Sequence, residues 1–128
     1  MFYKELYPVL GKLFYHIAAA DGKVQPVEKE TLIQFIKTNW EPLESSIDRH
    51  ETDQADLIYF AFDFLEAEGE PENGFDVFKD FYQENKAKFS PPIISNILRT
   101  SASIASVYHE REDQEQNVLD RLTKLFKD

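Results

Sequence analysis

The chain has 128 residues, with 14 Lys and Arg against 24 Asp and Glu, a net charge of −10, and no cysteine. That length corresponds to one domain, residues 1–128, large enough to bury about two-thirds of its unfolded surface. The missing cysteines exclude a disulfide framework, a thiolate zinc site and thiol catalysis and fit the reducing cytoplasm. The carboxylate surplus disfavours nucleic acid and anionic lipid as partners.

The first predicted element carries Phe2, Leu6, Val9, Leu10, Leu13, Phe14, Ile17 and Ala20 at spacings of three and four, the stripe of an amphipathic helix. Lys4, Glu5, Gly11, Lys12 and His16 interrupt its apolar run, so it reads as a mature helix and not as a signal peptide. Asp21-Gly22 ends it, because glycine tolerates the left-handed stop. Pro26, with fixed φ and no N–H to leave unpaired, opens a second helix; Glu28 complements its positive end, and Leu32, Phe35, Ile36 and Trp40 form its inner face.

Pro42 breaks the pattern, and a short acidic turn or helix runs to His50. Thr52 or Asp53 then caps a third helix with Leu57, Ile58, Phe60, Ala61, Phe62, Phe64 and Leu65, apolar on more than half its circumference and therefore expected at the centre of the bundle. Gly69, Pro71, Asn73 and Gly74 form a turn. Asn73, three residues before Asp76, caps a fourth helix with Phe75, Phe78, Phe81, Tyr82 and Phe89. Ser90-Pro91 reads as an N-cap and first-turn proline before Ile93, Ile94, Ile97, Leu98, Ala102, Ile104, Ala105 and Tyr108. The last helix begins near Asp113, with Gln116 in capping-box position and Val118, Leu119, Leu122, Leu125 and Phe126 facing inward. No segment alternates as a strand does, and none approaches the roughly twenty apolar residues of a membrane-spanning helix. The expected fold is all-α, a compact bundle of six or seven helices with short connections and no membrane insertion.

An offset of 87 residues places Ile17–Leu32 on Ile104–Leu119 without gaps, with Ile17, Ala18, Glu28 and Leu32 meeting Ile104, Ala105, Glu115 and Leu119. Either two unrelated hairpins share these residues, or a duplication has made two pseudo-symmetric helical halves. Tyr108-His109 stands in the second where the first has Asp21-Gly22.

The loop from Asp21 to Glu28 has a carboxylate at each end and admits two readings. In one, Asp21 and Glu28 only satisfy helix termini. In the other they are oxygen ligands for a hard cation, Ca²⁺ or Mg²⁺, joined by Glu115 and Glu112 if the hairpins are related. His16, His50 and His109 are too scattered for zinc. Glu66, Glu68, Glu70 and Glu72 lack the EF-hand pattern and read as a solvated turn. The Phe stripes read as core, and Ser101, Ser103 and Ser106 have no partner base that would make a nucleophile.

The segment AAADGKVQPVEKETL resembles the signature hairpin of the tellurite-resistance TerB-like domain over roughly residues 10 to 36: a small-residue helix end, Asp-Gly, a short turn and a helix starting at Glu. The resemblance implies an all-α fold of two related halves, a place in stress-response systems, and a divalent-metal site in which Asp21 and Glu28, and less directly Glu115, take the ligand roles. The expected function is a non-enzymatic cytoplasmic module that binds a partner protein and holds a divalent cation. The alternatives are a metal-dependent hydrolase using clustered carboxylates and a plain acidic adaptor without metal.

Overall fold

The structure, a computed structural model, describes residues 2–20, 24–43, 55–68, 73–107 and 113–127, with the backbone alone at 113–115. Among these residues there are six α-helices and no strand, as expected: α1 (Phe2–Ala18), α2 (Pro26–Phe35), α3 (Asp56–Glu68), α4 (Gly74–Glu84), α5 (Pro91–Ser106) and α6 (Asp113–Lys127). The Asp21-Gly22 stop, residues 44–50, the Thr52 or Asp53 cap, and residues 69–72 of the expected turn lie outside the described residues, while Glu41, Pro42 and Leu43 are helical, so the break expected at Pro42 is not there. No described helix is long and apolar enough to cross a membrane.

Helix α1 buries two adjacent rows, Leu6, Leu10, Leu13 and Ile17 beside Tyr7, Phe14 and Ala18, so nearly half its circumference faces other helices. It packs against α3, α4, α5 and α6 and is the central helix. The expectation that α3 would be central is corrected here. Only Ala55, Ile58, Phe62 and Leu65 of that region are buried, while Phe60 and Phe64 remain 62% and 63% exposed. An apolar circumference allows burial on all sides but does not supply the neighbours.

Two glycines let backbones approach where a side chain would not fit. A Cβ on Gly11 would stand 2.6 Å from both the Ala61 Cβ and the Ile58 carbonyl oxygen, which sets the α1–α3 distance. A Cβ on Gly74, at the first position of α4, would collide with the Lys12 carbonyl of α1. The expected cap of α4 is present, with Asn73 Oδ1 accepting from Asp76 N–H at 3.0 Å. At α5, Ser90 has the extended backbone of an N-cap and Pro91 occupies the first helical position, but the Ser90 side chain makes no capping bond.

One hydrophobic cluster draws on all six helices. At one end it is aromatic: Phe89, in the link between α4 and α5, lies 4.9 Å from Tyr82 and 5.4 Å from Phe2, and Tyr82 meets Phe126 of α6 at 5.1 Å. Edge-on pairs of this kind contribute about 0.5–1.5 kcal/mol each beyond their buried area. Tyr82 and Phe89 are buried and Phe2 and Phe126 partly so; Phe89, expected on α4, lies past the end of that helix at Glu84.

Between α2 and α5 the packing is polar. Helix α2 continues into a π-helical turn, Ile36–Trp40, in which the hydrogen-bond ladder is loosened by one residue. The Asn39 carbonyl accepts from Asn96 Nδ2 at 3.0 Å, and the buried Trp40 Nε1 donates to Thr100 Oγ1 at 3.1 Å. Thr100 Oγ1 in turn donates to the Asn96 carbonyl at 2.7 Å. Each side-chain donor in this seam has an acceptor, which removes the desolvation cost of burying it.

Candidate functional site

The acidic hairpin is anchored by α2. Glu28 occupies the third helical position, 1% exposed, and its Oε1 accepts from Gln25 N–H at 2.6 Å. This is the carboxylate half of a capping box, favoured further by the positive end of the helix dipole. Glu28 is therefore structural in at least one of its contacts. Asp21 lies outside the described residues, as do Glu112, His50 and His109; Glu115 is helical in α6, with its side chain outside them. The distances among Asp21, Glu28 and Glu115 accordingly fall outside what the structure describes. Among the described residues, no three His, Asp or Glu side chains gather closely enough to hold a metal ion.

The ends of the described helices fall near the 87-residue offset. Helices α1 and α5 end at Ala18 and Ser106, and α2 and α6 begin at Pro26 and Asp113, the same offset to within one residue. Ile17 and Ile104, Ala18 and Ala105, and Leu32 and Leu119 are all buried. Helix α1 touches α6 and α5 touches α2, but among the described residues α5 packs on α6 whereas α1 and α2 make no comparable contact, so the packing of the two hairpins is not that of a twofold pair. Glu115 thus has the same third helical position in α6 that Glu28 has in α2.

A second surface feature escaped the sequence pattern. On α3, Leu57, Phe60 and Phe64 follow at spacings of three and four along the side away from Ile58 and Phe62, with Leu57 partly covered and the two phenylalanines mostly in water. Every charged residue of α3 is acidic: Asp56, Asp63, Glu66 and Glu68. A groove of about 280 Å³ runs beside this stripe between α2 and α3, lined by Ile33, Ile36, Lys37, Asp56, Tyr59 and Phe60. Lys29 of α2 ties the two helices together, its Nζ donating to Glu66 Oε1 at 2.6 Å and Asp63 Oδ1 at 3.4 Å. The Glu66 hydrogen bond, with the nearby negative charge, raises the Lys29 pKa above its ordinary 10.5 against the opposing effect of desolvation.

The opposite chemistry occurs between α4 and α6. There Phe75, Lys79, Arg121, Lys124 and Leu125 line a cleft of about 240 Å³. The Arg121 guanidinium lies 4.2 Å from the centroid of Phe75 and 3.9 Å from Asp76 Oδ1, so the ring is covered by a cation. Among the serines, Ser101 is fully buried with no hydrogen-bond partner for its Oγ, enclosed where no substrate reaches it. No family model matches the chain, and no curated protein or solved structure matches it.

Proposed function

We propose that this chain is a TerB-like helical module that acts by binding a partner protein and catalyses no reaction. The observation that carries the reading is the exposed Phe60/Phe64 pair. Two phenylalanines one turn apart and about 60% exposed form a contiguous apolar surface that water solvates poorly, and such surfaces mark interaction sites when polar residues rim them. The TerB-like assignment is supported by the Asp21-to-Glu28 hairpin signature and by the shared register of the α1–α2 and α5–α6 hairpins.

The test is photo-cross-linking in cells that express the full chain. A benzophenone amino acid replacing Phe60 is expected to give a discrete protein adduct, and the same probe at exposed Lys127 is expected to give none. Equal labelling from both positions, or no adduct from either, would remove the reading.

The same proposal includes a divalent cation, Ca²⁺ or Mg²⁺, held by Asp21, Glu28 and Glu115. The donor set suits a hard ion, and one carboxylate with two oxygens and about four lone-pair directions can serve a cap and a cation together. Chelator-treated protein should melt higher when Ca²⁺, Mg²⁺ or Mn²⁺ is added, by mass action on the native state, and Asp21→Asn should abolish the increase. An unchanged melting temperature with all three ions would remove the cation from the proposal.

A further inference from the structure

We infer that the outer face of α3 receives an amphipathic helix with basic flanks, its apolar stripe lying on Leu57, Phe60 and Phe64 and its Lys or Arg residues meeting Asp56, Asp63 and Glu68. This deepens the partner-protein reading and rests on it. Leu57, Phe60 and Phe64 form a straight ridge two turns long, about 10 Å, beside a groove floored by Ile33 and Ile36. A ridge and groove of this pitch accept the i, i+3, i+4, i+7 side chains of another helix. A peptide bound by strand addition would need a sheet edge to pair with, and the described residues contain none.

Helix α3 bears four carboxylates and no base, and Lys29 of α2 is already engaged by Glu66 and Asp63. Lys37 is the only base among the groove-lining residues. The rim therefore has surplus negative charge, which attracts a cationic partner and fixes its register. A second copy of the chain is a poor occupant, because isologous pairing on α3 would set Asp56, Asp63 and Glu68 against like charges between two molecules of net charge −10 each. The stretch from Glu44 to Gln54 is equally unsuited, since it offers Ile47 as its one large apolar side chain amid Glu44, Asp48, Glu51 and Asp53. Nucleic acid and anionic lipid are disfavoured by the same rim.

The experiment uses the full chain and a fluorescein-labelled model peptide of about 20 residues, long enough to form a helix, with leucines at helical spacing and lysines elsewhere. Two controls accompany it: the same leucine stripe with glutamates in place of lysines, and the lysine peptide scrambled so that no stripe exists. Anisotropy should show saturable one-to-one binding of the lysine helix alone. Binding should weaken about tenfold or more in Phe60→Ala/Phe64→Ala and in Asp56→Asn/Asp63→Asn/Glu68→Gln, and should weaken as salt rises from about 50 to about 300 mM. Circular dichroism melts of both variants check that the fold is retained.

Equal binding to the Phe variant or to the scrambled peptide would mean general electrostatic adhesion and overturn the inference. Equal binding of the glutamate helix would do so as well, by showing that charge selects nothing. A concentration-dependent dimer abolished by the Phe variant would assign the face to a second copy. Failure of all three peptides, with the adduct at position 60 present, would remove the helix chemistry and leave the partner-protein reading standing. Failure with no adduct would remove both.

Discussion

On its inner side α3 sets Ile58 and Phe62 against α1, where Gly11 brings the two backbones within reach. On its outer side, built from the same residue types at the same helical pitch, Phe60 and Phe64 stand largely in water. Composition does not distinguish these faces. What distinguishes them is an absent side chain on a neighbouring helix: the missing Cβ of Gly11 makes one face a core contact. The other face is bordered by acids on its own helix and by a groove. The inner face is therefore expected to govern stability and the outer face recognition, and substitutions on each should separate the two properties.

The largest effect belongs to the inner face. Phe62→Ala should cost about 3–5 kcal/mol of unfolding free energy, from the lost transfer of the ring and the cavity left beside α1. Gly11→Ala should cost about 1–3 kcal/mol, because the new methyl meets the Ile58 carbonyl, which belongs to backbone and moves only if α3 moves. Urea midpoints measure both, and a loss under about 0.5 kcal/mol in either would show that the α1–α3 contact is not what orders α3.

An intermediate effect lies at the edge between the faces. Lys29→Met should cost about 0.2–1 kcal/mol, the range of a partly exposed ion pair, with the loss reduced at high salt. The pH dependence follows from the direction of the shift. A lysine whose folded pKa is raised contributes stability that is fully present below the ordinary 10.5 and disappears as pH rises through the folded value. The difference between wild type and Lys29→Met should thus hold constant from pH 7 to about 10 and close above about 10.5. A difference that persists once Lys29 has lost its proton would show that its charge does not make the contribution.

The smallest effect on stability is expected at the outer face. Phe60→Ala/Phe64→Ala should leave the urea midpoint within about 0.5 kcal/mol of wild type, since alanine suits the helix and little burial is lost. A loss above about 2 kcal/mol would place these rings in the core after all.

Much of the architecture is legible in residue order. The α1 stripe, Pro26 and Pro91 at first helical positions, and Asn73 as a cap are local signals, and local chemistry decides them. The centrality of α1 is not local. Periodicity reports how wide an apolar arc is, whereas burial depends on how many helices arrive to cover it. Gly11 reads from sequence as an interruption of an apolar run; in the fold it is the point of closest approach, a meaning that exists only once Ala61 is opposite. The π-helical turn is equally invisible, since Asn39 and Trp40 find their partners on α5, about sixty residues away in sequence.

The candidate site divides in the same way. Glu28 as a cap follows from Pro26 and the dipole, and the structure has it. The exposure of Phe60 and Phe64 does not follow, because they share the helical period of the residues that are buried. Their position opposite Ile58 and Phe62 on a helix with no basic residue is the signal that could have found them.

The Trp40–Thr100 hydrogen bond gives the protein an optical reporter of its own. Trp40 is the only tryptophan in the chain, and its indole is fully enclosed with its N–H engaged between α2 and α5. Its emission should be blue-shifted in the native state and should move to the red when those helices separate. The groove beside α3 takes Ile36 and Lys37 from the same Ile36–Trp40 turn, so a titration that quenches or shifts the fluorescence is reporting an event that reaches this turn, and one that leaves it silent has left the turn undisturbed.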